Sequence, residues 1–147
     1  MTTHSETRFL PYTPDQMYAL VADVPSYPQF LPWCAAARER SRTERGERVE
    51  VLADLVISFK VFRERFGSRV ILTPKRRIET EYIDGPFSHM RSVWEFGSAE
   101  NGGTEVRFYV DFEFKNRVLG AAAGLFFEDA MQRIVRAFER RAAELYG

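Results

Sequence analysis

Between residues 47 and 114 apolar side chains return at every second position, and after residue 116 the period changes. Period two puts alternate side chains on opposite faces of a strand; spacings of three and four put them on one face of a helix. Val49, Val51, Ala53, Leu55 and Ile57 share a face, with Glu50 and Asp54 opposite. Phe66, Ser68, Val70 and Leu72 oppose Arg63, Arg65 and Arg69. Ile78, Thr80 and Tyr82 form a third set, and Met90, Ser92, Trp94 and Phe96 a fourth. In the cleanest run, Val106, Phe108, Val110, Phe112 and Phe114 alternate with Glu105, Arg107, Tyr109, Asp111 and Glu113. Such alternation describes an antiparallel sheet with one wet face and one covered face. Asp84-Gly85-Pro86 and Asn101-Gly102-Gly103 are turn signals between strands. No Gly or Pro marks the turn required near Ser58 to Val61.

Helices flank this region. Residues 4 to 11 read as a first strand, followed by a helix start at Thr13-Pro14-Asp15-Gln16. Thr13 caps, Pro14 suits the first helical position, and Gln16 completes a capping box. This helix is expected to run to about Asp23. The stretch VPSYPQFLPW, residues 24 to 33, holds three prolines, which exclude a long helix and leave a short helical turn or a rigid apolar loop. From 116 to 146 a stripe of Leu119, Ala122, Phe126, Ala130, Ile134, Ala137, Phe138, Arg141 and Leu145 predicts one helix. At 1.5 Å per residue it is roughly 45 Å long, enough to cross the covered face of a sheet. Strands between helical segments, without the alternation of a parallel βα array, give the α+β class. No linker or repeat divides the chain, so residues 1–147 read as one domain.

The charge balance removes several functions. Twenty-one Lys and Arg against 21 Asp and Glu leave no net charge, which argues against DNA as a partner; a local basic patch stays compatible. Cys34 is the only cysteine, and His4 and His89 are the only histidines, so neither a disulfide nor a metal cluster is expected. No Gly-rich phosphate loop and no Ser/His/Asp order is present, and no catalytic residue is assigned. The N-terminus lacks a signal-type apolar run, and no window approaches ~20 apolar residues. A cytoplasmic protein, or one peripheral to the inner membrane, is expected. Thirteen Phe, six Tyr and two Trp are unusually many, enough either to fill a large core or to wall an apolar cavity.

The segments Leu10-Pro11-Tyr12-Thr13-Pro14, Met17, Val21-Ala22-Asp23-Val24 and, above all, Tyr27-Pro28-Gln29-Phe30-Leu31-Pro32-Trp33-Cys34 resemble the opening of the coenzyme Q-binding protein family. That family lies within the START-like, or polyketide cyclase/dehydrase-like, superfamily, and the resemblance runs along the whole chain. It implies a helix-grip fold, in which a curved antiparallel sheet wraps a long C-terminal helix, with two short N-terminal helices, around an elongated apolar cavity. It implies a lipid-binding module rather than an enzyme: a chaperone for ubiquinone, a precursor or another isoprenoid lipid, supporting respiratory electron transport. It equally implies an alternative, because some bacterial relatives are described as toxins that bind the ribosome and block subunit association. A polyketide cyclase-like enzyme is the third reading.

For the first reading, strand phase and the helix stripe select Val51, Leu55, Ile57, Phe66, Tyr82, Trp94, Phe108, Phe112 and Phe126 as cavity wall. Phe30 and Trp33 are placed at an entrance, where the apolar loop could also touch a membrane. Gly120-Ala121-Ala122-Ala123-Gly124 offers almost no bulk, so this part of the helix either packs closely or leaves a gap. The bound lipid is the ligand; no other cofactor is expected. For the ribosomal reading, the relevant residues are the arginines dense between 38 and 48 and between 63 and 77, diluted by glutamates. Their default role is a solvated outer sheet face. For the enzyme reading, strand phase points Glu64 inward and Tyr82 offers a phenol, while His89 falls outward.

Overall fold

The computed structural model describes residues 2–59 and 62–147, without the side chains of residues 59, 62, 123 and 126. Phe126 as a wall residue, and the turn at residues 60 and 61, therefore lie outside the described residues. The alternating segments form β1 (Thr2–Leu10), β2 (Cys34–Arg45), β3 (Arg48–Phe59), β4 (Phe62–Thr73), β5 (Arg77–Asp84), β6 (Phe87–Ser98) and β7 (Thr104–Phe114). They make one sheet in the order β1-β7-β6-β5-β4-β3-β2, antiparallel at every junction. Register shifts at Cys34/Ala36, Glu39/Ser41, Gly67/Ser68 and Phe87/His89 interrupt the ladders. Such bulges bend a strand and increase its twist. The Asn101-Gly102 turn forms as expected, both residues at positive φ (59° and 78°), with Ser98 paired to Thr104 across it.

Helix α1 (Pro14–Ala22) begins with the capping box read from the sequence. The Gln16 N–H donates to the Thr13 hydroxyl at 3.1 Å, and the Thr13 N–H donates to the Gln16 side-chain oxygen at 2.9 Å. The proline-rich stretch is a single 3-10 segment, Val24–Gln29. Helix α2 (Arg117–Tyr146) fills the expected span of 116 to 146 except for Asn116, which caps its first N–H groups.

The stripe on α2 needs correction. Ala122 and Leu145, expected on the covered face, are exposed. Phe127, Val135, Phe138 and Ala142 are buried, with Met131 and Ile134 packed beside them. A series stepping by four advances 40° past a full turn each time. The row 122–126–130–134–138 thus walks around the helix instead of staying over the sheet.

Phe138 is the hub of the core. Its ring meets Tyr27 at 5.4 Å, Phe30 at 5.2 Å and Trp94 at 5.0 Å between centroids, each edge to face. One side chain of α2 thus ties the 3-10 segment to the middle of the sheet. Trp94 continues to Phe108 at 4.4 Å, and Phe127 reaches Phe112 at 4.6 Å. Ring pairs of this kind add about 0.5–1.5 kcal/mol each beyond the area they bury.

Candidate functional site

The inward face of the sheet is largely apolar from β3 to β7 but is not uniformly covered. Val51, Phe66, Trp94, Phe108 and Phe112, five of the expected wall residues, are buried in one continuous core. Leu55, Ile57 and Tyr82 point to the same face but are only half-buried. Helix position explains the difference. Helix α2 runs closest to β1, β7 and α1, so the β3–β5 end of the face has less above it.

The small-residue run of α2 follows directly on β7, and Gly120 sits beside Phe114 of that strand. Gly120 and Gly124 precede Phe127 and Met131 by seven residues, two helical turns, and so occupy the same helix face. A Cβ on Gly120 would touch only the Phe114 Cβ, at 3.8 Å, and one on Gly124 would meet nothing within 4 Å. Gly124 is exposed although it sits on the sheet-facing side. The glycines therefore do not serve close packing. Gly124→Ala is expected to stabilise the protein, since it removes a helix-interior glycine at a position free of clash. The gain is about 1 kcal/mol, a rise of roughly 2–4 °C in Tm by calorimetry.

The two expected entrance residues separate. Phe30 packs on Phe138, with the Arg141 guanidinium 5.4 Å from its ring centre. Trp33 stands at the start of β2, where its carbonyl accepts the Ser58 N–H at 2.9 Å, near the open end of the face. Its φ of 64° is unusual for a bulky residue, and the chain turns there from the apolar loop into β2.

Acid–base groups are scarce at the β3–β5 end of this face. Glu64 has the inward strand phase yet is exposed, because β4 extends there beyond the covered part of the sheet. The Tyr82 hydroxyl oxygen accepts the Phe87 N–H at 3.1 Å, and burial pushes its phenol pKa up. His89 lies outward, against Asp111. Cys34 is half-buried, and burial pushes its thiol pKa up to about 11. The thiolate is the reactive form. Cys34 is therefore expected to react slowly with a disulfide reagent at pH 7, the rate climbing steadily to a plateau only above about pH 11. A fast reaction at pH 7 would contradict this environment.

The edge strand β1 holds a feature that sequence reading missed. His4 is buried between the rings of Phe108 and Phe127, and its Nε2 lies 3.1 Å from Glu6 Oε2. Arg8 donates to Glu6 Oε1 at 2.6 Å and to Glu139 of α2 at 3.1 Å. Strand phase alone puts His4, Glu6, Arg8 and Leu10 on one face. Their polarity hid that this face looks inward, toward α2.

A large open groove, about 1120 Å³, runs between α2, the β1–α1 connection and the apolar loop. Its floor includes Leu10, Tyr12, Phe30 and Leu31. Its walls carry four arginines, Arg8, Arg133, Arg136 and Arg140, against one glutamate, Glu139.

The arginine-dense strands behave differently. Asp54, buried on the outward face, holds Arg38, Arg40 and Arg65 at 3.2, 3.3 and 2.7 Å. Arg42 pairs with Glu39, Arg45 with Glu50, Arg69 with Glu81, Arg77 with Glu79 and Glu95, and Lys75 with Asp15. Most of these cations are matched by cross-strand carboxylates, as expected of a solvated outer face.

A seven-stranded antiparallel sheet gripping a long C-terminal helix, with an apolar inward face, defines a START-like, ligand-binding type of domain. The chain belongs to the polyketide cyclase / dehydrase and lipid transport family, which it matches over residues 10–139. It is 40% identical to the ribosome association toxin RatA of Rickettsia prowazekii, the match covering 99% of each chain. It is 32% identical to the mitochondrial coenzyme Q-binding protein COQ10 homolog B of Xenopus laevis, over 98% of this chain and 59% of that one. The solution structure of an 18 kDa protein from Caulobacter crescentus superposes with a TM-score of 0.82 at 34% identity, covering 100% and 99% of the two chains. No described helix is long and apolar enough to cross a membrane.

Proposed function

We propose that this protein acts by associating with the ribosome and hindering the joining of its subunits. The observation that carries this reading is the match, end to end on both chains, to a relative named as a ribosome association toxin. Residues 1–147 are read as one domain working without catalysis, in the cytoplasm where ribosomes are. Apart from His4 and Glu6 of β1, acid–base groups are scarce on the inward face, which supports a binding role over a cyclase. The direct test is sedimentation of purified protein with purified ribosomal subunits across a salt series. Co-sedimentation at low salt that falls away as salt rises is expected. Protein that stays at the top of the gradient at every salt concentration would refute the reading.

A second reading has its own observation. Leu55, Ile57 and Tyr82, only half-buried on the apolar face, suit the tail of ubiquinone, a precursor or another isoprenoid lipid. Burying such a tail gains about 0.8 kcal/mol per CH₂, so a short covered length suffices. This use would follow the coenzyme Q-binding relatives, with transient contact at the inner membrane to load the lipid. Organic extraction of the purified protein, followed by mass spectrometry, is expected to yield a stoichiometric isoprenoid. An extract free of any lipid would remove this reading and leave ribosome association untouched.

A further inference from the structure

We propose that the groove between α2 and the apolar loop is an RNA-docking surface, in which the exposed Arg136 and Arg140 bind the phosphate backbone of ribosomal RNA. The inference rests on the ribosome-association reading and names the face and the chemistry of contact.

Charge pairing is the first argument. The arginines most conspicuous in the sequence, on β2–β5, are largely spent on carboxylates, and Asp54 alone takes three of them. Arg136 and Arg140 are exposed and form no ion pair among the described residues; Arg136 donates only to the Gln132 carbonyl, one turn back. The one glutamate in the groove wall, Glu139, is held by Arg8 at 3.1 Å. Arg133 is paired with Asp129 at 2.9 Å and Arg8 with Glu6 and Glu139, so the excess positive charge of the groove is that of Arg136 and Arg140.

Spacing is the second. Arg133, Arg136 and Arg140 follow one another at three and four residues, so they line one flank of α2 at about 4.5 and 6 Å along its axis. A row of cations at successive turns suits a polymer charged at every unit. Guanidinium groups present paired N–H donors that match phosphate oxygens. The floor is the third. The half-buried rings of Tyr12 and Phe30, with Pro11, Pro28 and Pro32, form a broad apolar surface under the cations. Single-stranded RNA is commonly recognised by this combination, bases laid on apolar rings and phosphates on arginine.

The test measures binding of the full chain to purified ribosomal subunits, small and large, and, separately, to deproteinised ribosomal RNA, each between 50 and 200 mM salt. The variant is Arg136→Gln/Arg140→Gln. The control is Arg45→Gln/Arg69→Gln, which removes two ion-paired cations from the outward face. Each phosphate contact contributes about 0.7–0.9 to the slope of log affinity against log salt. The groove variant is therefore expected to bind both targets about tenfold more weakly at 50 mM salt, with a slope shallower by about 1.5. The control should match the parent, and Arg136→Lys/Arg140→Lys should keep the slope. If the parent binds and the groove variant keeps its affinity and slope, the groove assignment is wrong. Binding to subunits without binding to the bare RNA would overturn the RNA assignment in favour of a ribosomal protein. If the parent binds neither target, ribosome association falls and this inference falls with it.

Discussion

Phe138→Ala should lower stability more than any other single truncation on α2, by about 3–5 kcal/mol. The ring is 3% exposed and is the common neighbour of Tyr27, Phe30 and Trp94. Its loss opens a cavity bounded by three elements: the 3-10 segment, β6 and the helix itself. None can collapse into the space without pulling away from another partner. Tyr27 is anchored separately, its hydroxyl donating to the Val21 carbonyl, and burial pushes its phenol pKa up, so it cannot swing in freely. The expected fall in Tm is roughly 10–15 °C, read by calorimetry. Phe138→Leu keeps most of the volume and should cost well under half as much. Equal losses for the two variants would mean that the ring contacts, not the filled volume, hold the helix down.

Gly85→Ala is expected to be nearly as damaging, although it adds a single methyl. Gly85 adopts φ +140°, a backbone conformation that L side chains rarely enter. A Cβ there would lie 2.6 Å from the Phe66 Cβ and 2.9 Å from the Phe66 Cα. The second of these atoms is backbone in β4 and cannot rotate away. Conformational strain of about 1–3 kcal/mol adds to overpacking of about 1–3 kcal/mol. In urea titrations the midpoint should fall by roughly 1–2 M with little change in slope. The damage would reach the apolar face as well. Phe66 and Tyr82 both pack on Phe87, and the Phe87 N–H is held by the Tyr82 hydroxyl. A midpoint within 0.3 M of the parent, an arbitrary threshold of about half a kcal/mol, would show that the turn adapts.

The strands were legible because each carries its own evidence: a period of two needs no knowledge of neighbouring strands. The capping box at Thr13 and the turn at Asn101 were legible for the same reason. Contacts between distant segments were not. The density of arginines on β2–β5 could be counted, but their neutralisation depends on partners such as Asp54 and Asp84, 11 and 19 positions from Arg65. The groove joins residues 8–12, 28–32 and 133–143, three segments that no local pattern connects. On α2, the spacing showed a helix and misplaced its covered face, because a row of every fourth residue drifts around the axis. On the apolar face, strand phase gives the side of the sheet each side chain takes, and helix position decides which are sealed and which stay half-open. Leu55 and Phe66 are neighbours across β3 and β4, yet Phe66 is buried and Leu55 is not.

Interference with subunit joining is the most direct test of the proposed ribosome association. Purified small and large ribosomal subunits, dissociated at low magnesium, can be returned to associating conditions with increasing amounts of the chain. Sucrose gradients then read the share of joined particles. A joined-particle peak that shrinks as protein is added, with free subunits rising to match and the chain travelling with one of them, is the expected result. A peak that keeps its full height with the protein in large excess would contradict the proposed ribosome association.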